Sequence, residues 1–419
     1  MTNSENHGEH PGEHHQQPLP LNGLRVLDAT HIVAGPFCSM ILADMGAEVI
    51  KVERPKTGDR ARANHPFVKG AGGAKASARF LGVNRNKKSI TLDLRDPRGQ
   101  RAFENLVGVS DVLLDNWGPG AMARLGYGYH RLREINPGLV YATITGFGDS
   151  EGLRGPYSQW PANNPCVQGM GGWMEITGAP DGPPQMVGDN IGDSVPGVWT
   201  ALGVMMALEG RRKTGLGQHV DMAMYDCMVA HTTSSMPHYQ ATGEVTSRAR
   251  ENMFTAQLAL KARDGYAVLA GSDGKKWAAL WRHIGREDLL QDSRYLGQGV
   301  TGEFYFNHVV PAIEEWSQHQ AKLDIAQQLI TLGFSMGVVQ NTADIDQCPH
   351  LAARKMFVEI GDTVGGAFRA VNTPIRLTEC PDTPNGTPPS LGEHNQEILC
   401  GIGGLTAEEL EQMEADGVV

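Results

Sequence analysis

From Leu24 to Met224 the chain alternates short apolar runs with amphipathic stretches, which predicts strands and helices taken in turn. Leu24-Arg-Val-Leu-Asp28 reads as a strand. Pro36 can open a helix at its first position, Gly46 can close it, and Glu48-Val-Ile-Lys-Val-Glu53 gives the next strand. That is a βαβ unit of about thirty residues, which implies a parallel sheet. Ser89 to Leu94, Asp111 to Asp115 and Leu139 to Thr145 continue the strands, with a helix from Arg98 to Val107 between the first two. Val198 to Glu209 is a helix of Ala, Leu and Met, read as core packing. Lys213-Thr-Gly-Leu-Gly-Gln218 turns the chain into a strand over His219 to Met224. From about residue 225 to 335 the pattern changes, with Asp264-Gly265 turning into Tyr266-Ala-Val-Leu-Ala270 and helices after it, so a second domain is predicted there. Thr363 to Leu377 returns to strand-like alternation, and Ala407 to Ala415 is an acidic terminal helix.

Composition narrows the class. At 419 residues, 40% hydrophobic and 20% charged, the chain is long enough for two or three domains of ordinary globular character. No uninterrupted apolar run approaches a membrane span, and the polar N-terminus does not resemble a secretory signal. Residues 1 to 20 are polar, Pro-rich and non-periodic, so they read as a disordered arm; His7, His10, His14 and His15 belong to that tail rather than to a metal site. The six cysteines are scattered without a CxxC pair, which argues against a disulfide framework or a zinc cluster. No metal is expected, no membrane association is expected, and cytoplasm is the default compartment. The net charge of −11 argues against nucleic acid as partner. Yet between Lys51 and Lys88 eleven Lys and Arg face only Glu53 and Asp59, a local +9. Such a segment fits a bound polyanion, and equally a solvated loop balanced by acids elsewhere. No GxGxxG follows the first strand, so the α/β pattern does not imply a dinucleotide.

The wording of several segments resembles class III coenzyme A transferases, the group that includes formyl-CoA and carnitine CoA-transferases. These are Leu24-Arg-Val-Leu-Asp28 with Ala34-Gly-Pro36 and Leu42 to Arg54, then Asn84-Arg-Asn-Lys-Lys-Ser-Ile-Thr-Leu-Asp93. Asp115-Asn-Trp-Gly-Pro-Gly120, Arg124-Leu-Gly126, Asn136 to Tyr141 and Gly146-Phe-Gly148 follow in the family's order. Ile191-Gly-Asp193, Lys213 to Gln218, Val339-Gln-Asn341, Pro374 to Leu377 and Leu391-Gly-Glu-His394 complete the set. The resemblance implies a large α/β domain built from both chain ends, residues 21–224 and 336–419, with a smaller inserted α+β domain over 225–335. It further implies two ring-like chains interlocked as a dimer. Coenzyme A and acyl-CoA would be substrates, with no permanently bound cofactor. By motif position Ile32 and Arg54 would lie near the nucleotide, Asn86 and Lys87 along the adenine and phosphate region, and Asn116, Trp117 and Arg124 beside the nucleotide and pantetheine. The chemistry agrees, because phosphates need fixed cations and Trp117 offers a flat apolar face. Trp117 as a buried anchor beneath Gly118-Pro119-Gly120 fits as well.

One element of that family is missing. An aspartate there attacks the acyl-CoA thioester, and a mixed anhydride and an aspartyl-CoA thioester follow. Its segment reads here Trp160-Pro-Ala-Asn-Asn-Pro-Cys-Val-Gln168, which places Asn164 at the nucleophile's position. A shift of one residue gives Asn163 or Pro165, neither of which is a carboxylate. A neutral amide cannot sustain the anhydride pathway, and Pro165 has no N–H to close the succinimide through which Asn usually deamidates. Cys166 is read as a packing residue. Racemases of the same superfamily use a His beside this position and a later Asp. Asn163 replaces the His, while Asp193 matches the Asp, so racemase chemistry is disfavoured. The glycine-rich loop that covers the intermediate in formyl-CoA transferase is replaced by Arg248-Ala-Arg-Glu-Asn252. The expected function is therefore a CoA-transferase subunit without a nucleophile, paired with a homologous subunit that carries the aspartate. Heteromeric members of the family include succinyl-CoA:(R)-benzylsuccinate CoA-transferase of aromatic degradation, one subunit of which resembles this case. A homomeric enzyme using Asp189 or Glu175, and a non-enzymatic CoA-binding protein, are the alternatives.

Overall fold

The computed structural model describes residues 17–69, 75–179, 182–248, 257–270, 274–296, 302–363 and 366–419. The predicted arm lies outside these as far as residue 16, His7, His10, His14 and His15 included. The chain divides into two compact bodies. One comprises the residues up to Ala162, Asp193–Met224 and Lys355–Val419; the other comprises Asn163–Gly192 and Tyr225–Arg354.

In the first body the apolar runs become β1 (Arg25–Asp28), β2 (Glu48–Glu53), β5 (Lys87–Thr91), β6 (Val112–Asp115), β7 (Val140–Thr145) and β8 (His219–Ala223). A short antiparallel pair, β3 (Phe67–Lys69) with β4 (Lys75–Ser77), lies between β2 and β5 in sequence. The six main strands form one sheet in the order β5-β2-β1-β6-β7-β8, and each pairing is parallel. Alternate side chains enter two cores. Val26, Val49, Val112 and Val140 pack with Cys38 and Leu42 of the helix Ala34–Asp44 and with Val204 and Leu208 of the helix Ile191–Thr214. Leu27, Ile50, Ile90 and Leu113 pack instead with Phe103 and Leu106 of the helix Pro97–Gly108, and with Leu399 and Met413 near the C-terminus. A sheet covered on both faces needs apolar residues at successive positions, which is why these strands read as runs rather than as alternation. Each fully buried Leu, Ile or Val contributes about 1.5–3 kcal/mol.

The helix Ile191–Thr214 is twice as long as the stretch predicted from sequence, because Gly192 and Pro196 disguise its first turns. It is long and apolar enough to pass for a membrane span by length and composition, although Asp193 and Glu209 interrupt its apolar run. Its Ala201, Val204, Ala207 and Leu208 are nevertheless part of the sheet's core, so it is a core helix here.

The order of the sheet positions the site. The chain leaves β1 toward β2 and β5, then returns to the other flank of β1 with β6. Connections diverge at β1 and β6, and a crevice opens there at the carboxyl ends of the strands. A hairpin, β12 (Phe357–Thr363) with β13 (Gly366–Val371), also belongs to this body.

The second body holds an antiparallel sheet of β9 (Gln257–Ala262), β10 (Gly265–Ala270) and β11 (Ser335–Val338), in the order β11-β10-β9. Its core is aromatic, with Trp277, Trp281, Tyr305 and Phe334 in mutual contact. The expected return at 336 falls within β11, whose partner is β10.

Candidate functional site

A cleft of about 770 Å3 lies in the first body, in the size range of small-molecule sites. Its walls come from the residues that follow four strands. Thr30 and His31 follow β1, Arg54 and Asp59 follow β2, Leu92 to Arg95 follow β5, and Trp117 follows β6. This is the crevice that the strand order requires.

The cleft's acids are already spoken for. Glu53 pairs with Arg62 at 2.7 Å and accepts from the Ser89 hydroxyl, Asp93 is held by Arg95 through two bonds of 2.7 and 2.9 Å, and Asp59 pairs with the buried Lys51 at 2.9 Å. Arg54 and Arg60 line the cleft, and among the described residues neither guanidinium has a hydrogen-bond partner. Arg124 also lines it and, among the described residues, bonds only the Pro119 carbonyl, at 3.0 Å. The net result is a positive wall facing Val52, Leu92 and Leu94, a surface suited to an anion with an apolar arm.

Other cations of the basic segment have a different fate. Lys51 and Lys87 are fully buried around Asp28, Arg85 pairs with Asp44 at 2.6 Å, and Lys88 bridges Glu48 and Glu397. Burial opposes charge on Asp28, but Lys51, Lys87 and the hydroxyls of Ser39 and Thr30 outweigh it and hold the carboxyl far below its usual range. Burial pushes Lys87 down to about 8 against the pull of Asp28.

Of the seven residues named from sequence, Arg54, Trp117 and Arg124 meet in the cleft. Trp117 also packs on the main core, and its N–H is fixed by Asp115 at 2.8 Å. Asp115 in turn accepts from the Tyr141 hydroxyl at 2.6 Å, and burial raises its carboxyl above the usual range. Ile32 and Asn116 do not line the cleft, but both hold the loop that does. The Asn116 amide bonds the N–H and the carbonyl of His31, each at 2.9 Å, and the Ile32 N–H donates to Asp59 at 3.0 Å. Asn86 precedes β5, whereas the cleft residues follow it. Its left-handed φ of 62° is one that Asn tolerates, and its amide bonds Asp44, Pro384 and Gly386. The Lys87 ammonium is occupied by Asp28, Asn84 and the Pro36 carbonyl. His31, Arg60 and the Asp93–Arg95 pair were not picked out from sequence. Their signal was position, immediately after strands of a parallel sheet.

Residue 164 is in the second body, as the first residue of the helix Asn164–Met170, and is 8% exposed. Its amide oxygen accepts from Gln168 Nε2 and from the Gly192 N–H, both at 2.8 Å. Its Nδ2 donates to the Asp189 carbonyl at 3.2 Å and approaches Met186 Sδ at 3.7 Å. A Cβ on residue 192 would lie 2.7 Å from the Asn164 oxygens, so only glycine permits this arrangement. Each end of the side chain thus meets a complementary group, as an amide requires. Asp189 offers Asn164 its backbone, while its carboxylate bonds Asn190; Glu175 pairs with Arg248 at 3.3 Å. Cys166, expected to pack, is exposed, because it stands on the outer side of this short helix. Arg248 donates to the carbonyls of Gly182 and Glu175, and the rest of the segment ending at Asn252 lies outside the described residues.

Asp193, in the first turn of the helix Ile191–Thr214, has its carboxyl raised by burial from 3.8 to about 6. A raised value means the folded state favours the proton. The penalty of ionisation is absent below about pH 4, grows between pH 4 and 6, and is complete above that. Asp193→Asn is expected to stabilise the protein by about 1–2 kcal/mol at pH 7.5, a few degrees in melting temperature, and not at pH 4. Thermal melts at the two pH values check this, and equal shifts at both would contradict it.

Fold and cleft together define an α/β protein with a cleft suited to an anionic, part-apolar ligand at the switch point of a parallel sheet. The profile of CoA-transferase family III matches residues 21–395. The chain is 37% identical over 390 residues to a succinyl-CoA:mesaconate CoA-transferase of Haloarcula hispanica, covering 91% of this chain and 97% of the relative. It is 30% identical over 408 residues to a succinyl-CoA–L-malate CoA-transferase beta subunit of Chloroflexus aurantiacus, with 96% and 98% covered. Among solved structures, a CAIB/BAIF family protein from Brucella suis superposes with a TM-score of 0.81 at 32% identity, covering 92% of this chain and 100% of that one. The chain belongs to CoA-transferase family III, and its broad function is the transfer of coenzyme A between carboxylic acids.

Proposed function

We propose that this chain is the subunit of a heteromeric CoA transferase that lacks the nucleophile, and that a homologous partner supplies the aspartate. The observation that supports the reading is Asn164, an amide bonded as an amide, at the position that the resemblance assigns to the family's carboxylate nucleophile. The Chloroflexus relative is named as a beta subunit, which supports the subunit reading. The helix Ile191–Thr214 leaves Val198, Leu202, Met205 and Met206 exposed at helical spacing, with Met206 at 64%, a stripe suited to a partner of the same fold. Interlocking with that partner is part of the proposal.

The donor proposed is succinyl-CoA, after the names of the Haloarcula and Chloroflexus relatives, and the acceptor is a dicarboxylate. A benzylsuccinate-type acceptor is the finer form of the same idea. Arg54, Arg124 and Trp117 would contact the coenzyme directly. Ile32 and Asn116 would shape its loop, and Asn86 and Lys87 would support the sheet beneath. The deciding experiment is purification with and without an aspartate-bearing homologue, followed by calorimetric titration with coenzyme A and an acyl-CoA exchange assay.

Arg54 offers a separate check. Because its guanidinium bonds no described residue, Arg54→Ala is expected to leave the melting temperature unchanged while weakening coenzyme A binding about ten- to a hundredfold. That is the worth of a charge-assisted contact of roughly 1.5–3 kcal/mol. Unchanged affinity in a folded variant would remove the cleft from the coenzyme site.

A further inference from the structure

We propose that His31 is a ligand-contacting residue, presented to a phosphate of the bound coenzyme by a loop that four side chains hold in place. The proposal rests on the reading of the cleft as a coenzyme A site.

The loop is the observation. Thr30, His31 and Ile32 follow β1 at the switch point, and five consecutive backbone polar groups are each taken by a side chain. The Thr30 N–H donates to Asp28 Oδ1 at 2.9 Å, and the Thr30 carbonyl accepts from Lys51 Nζ at 2.8 Å. The His31 N–H and carbonyl are both bonded by Asn116, and the Ile32 N–H donates to Asp59 Oδ1. These side chains come from β1, from β2, from the loop after β2 and from the end of β6. Lys51 and Asp28 are fully buried, and Ser39 and Lys87 brace Asp28 from below.

So much fixing serves an unfavourable conformation. Ile32 has φ of 71°, in the left-handed region that a β-branched residue avoids. Strain of this kind persists only where the surroundings over-determine it, and it gathers at ligand-binding sites. What the loop carries into the cleft is the His31 imidazole. The side chain is part-buried, and among the described residues neither ring nitrogen has a hydrogen-bond partner. A polar ring held half out of water with both nitrogens unmatched calls for a ligand atom to complete it.

Charge decides which kind of atom. Asp59 and Asp28 face the ring from one side, and Arg60 and Lys51 oppose them. Both acids are engaged, Asp59 with Lys51 and two backbone N–H groups, Asp28 with Lys87 and hydroxyls. The unengaged charge in the cleft is that of Arg54 and Arg60, so an anion is the fitting guest. Burial pushes the imidazole below its usual value, which favours the neutral ring. A phosphate beside it favours the charged form, so binding takes up protons and affinity rises as pH falls.

Calorimetric titration with coenzyme A at pH 7, in buffers of different ionisation enthalpy, measures that uptake. The wild-type chain is expected to take up a fraction of a proton per coenzyme. His31→Gln is expected to lose the uptake and to bind about three- to tenfold more weakly. Its backbone is held by Asn116 whatever the side chain, and an unchanged melting temperature will show that the variant folds. Unaltered uptake and affinity in His31→Gln overturn the proposal, and so does wild-type binding without any uptake. If Arg54→Ala weakens binding while His31→Gln does not, the coenzyme reading survives and only the role of His31 falls. A wild-type chain that does not bind coenzyme A overturns both.

Discussion

Alone, the chain is expected to bind coenzyme A yet to exchange it between acids more slowly than the complex with an aspartate-bearing homologue, by a factor on the order of 10³ or more. The two halves of this expectation come from different parts of the molecule. In the proposal, binding uses the cleft, where Arg54, Arg60 and Arg124 supply positive charge that the neighbouring acids do not cancel. Exchange needs a carboxylate that can be acylated, and residue 164 is a neutral amide whose lone pairs are delocalised and whose oxygen already accepts two hydrogen bonds. Of the two carboxylates named as alternatives, Glu175 faces Arg248 and Asp189 turns its backbone, not its carboxylate, toward the amide. Asp193, the residue after the Gly192 that bonds Asn164, has a carboxyl raised to about 6 by burial and is the competing nucleophile. Exchange assays on the isolated chain and on the reconstituted pair, at equal site concentration, test this. Robust turnover by the isolated chain would rule out the heteromeric reading, and no turnover by any pairing would favour a protein that only binds coenzyme A.

The scaffold was legible because its residues repeat a simple physical requirement. Val26 and Leu27, Val49 and Ile50, Val112 and Leu113 are apolar at successive positions because both faces of the sheet are covered, and the runs mark the strands within a residue or two. The site was legible only in part. A cation that meets a ligand and a cation that meets a buried acid have the same letter. Lys87 and Arg54 lie in one basic segment, yet the first closes on Asp28 and the second opens on the cleft, and only the sheet's register separates them. Asn116 acts on the backbone of His31 and Ile32 acts through its own N–H, roles that side-chain chemistry does not advertise. His31 escaped notice for the opposite reason: a single histidine after a strand carries no pattern until the strand order puts it at the switch point. The second body claims Asn163–Gly192 for a further reason. Gly192 closes on Asn164 across 28 residues, a gap in sequence that no local periodicity spans.

Asn164→Asp is expected to give the isolated chain a working nucleophile, slow at first and faster as pH rises. The two side chains are nearly the same size, so the buried position should accept the change without repacking. One carboxylate oxygen would inherit the Gln168 and Gly192 donors, which favour the ionised form. The other would take the place of Nδ2, where it meets the Asp189 carbonyl at 3.2 Å and Met186 Sδ at 3.7 Å, two acceptors with nothing to donate. That contact favours the protonated acid, whose O–H can donate to Asp189, so part of the population is unreactive near neutrality. With the carboxyl raised, the ionised fraction grows up to about tenfold per pH unit until the group is fully charged. Incubating the variant with succinyl-CoA at pH 6 and pH 8, then seeking a coenzyme A adduct on residue 164 by mass spectrometry, reads this directly. More adduct at pH 8 than at pH 6 shows a site that has lost one functional group and kept its geometry. If coenzyme A still binds and no adduct forms at either pH, the amide pocket has diverged beyond one substitution. Catalysis then belongs wholly to the partner, because a reacting oxygen misplaced by about 1 Å loses on the order of a hundredfold in rate.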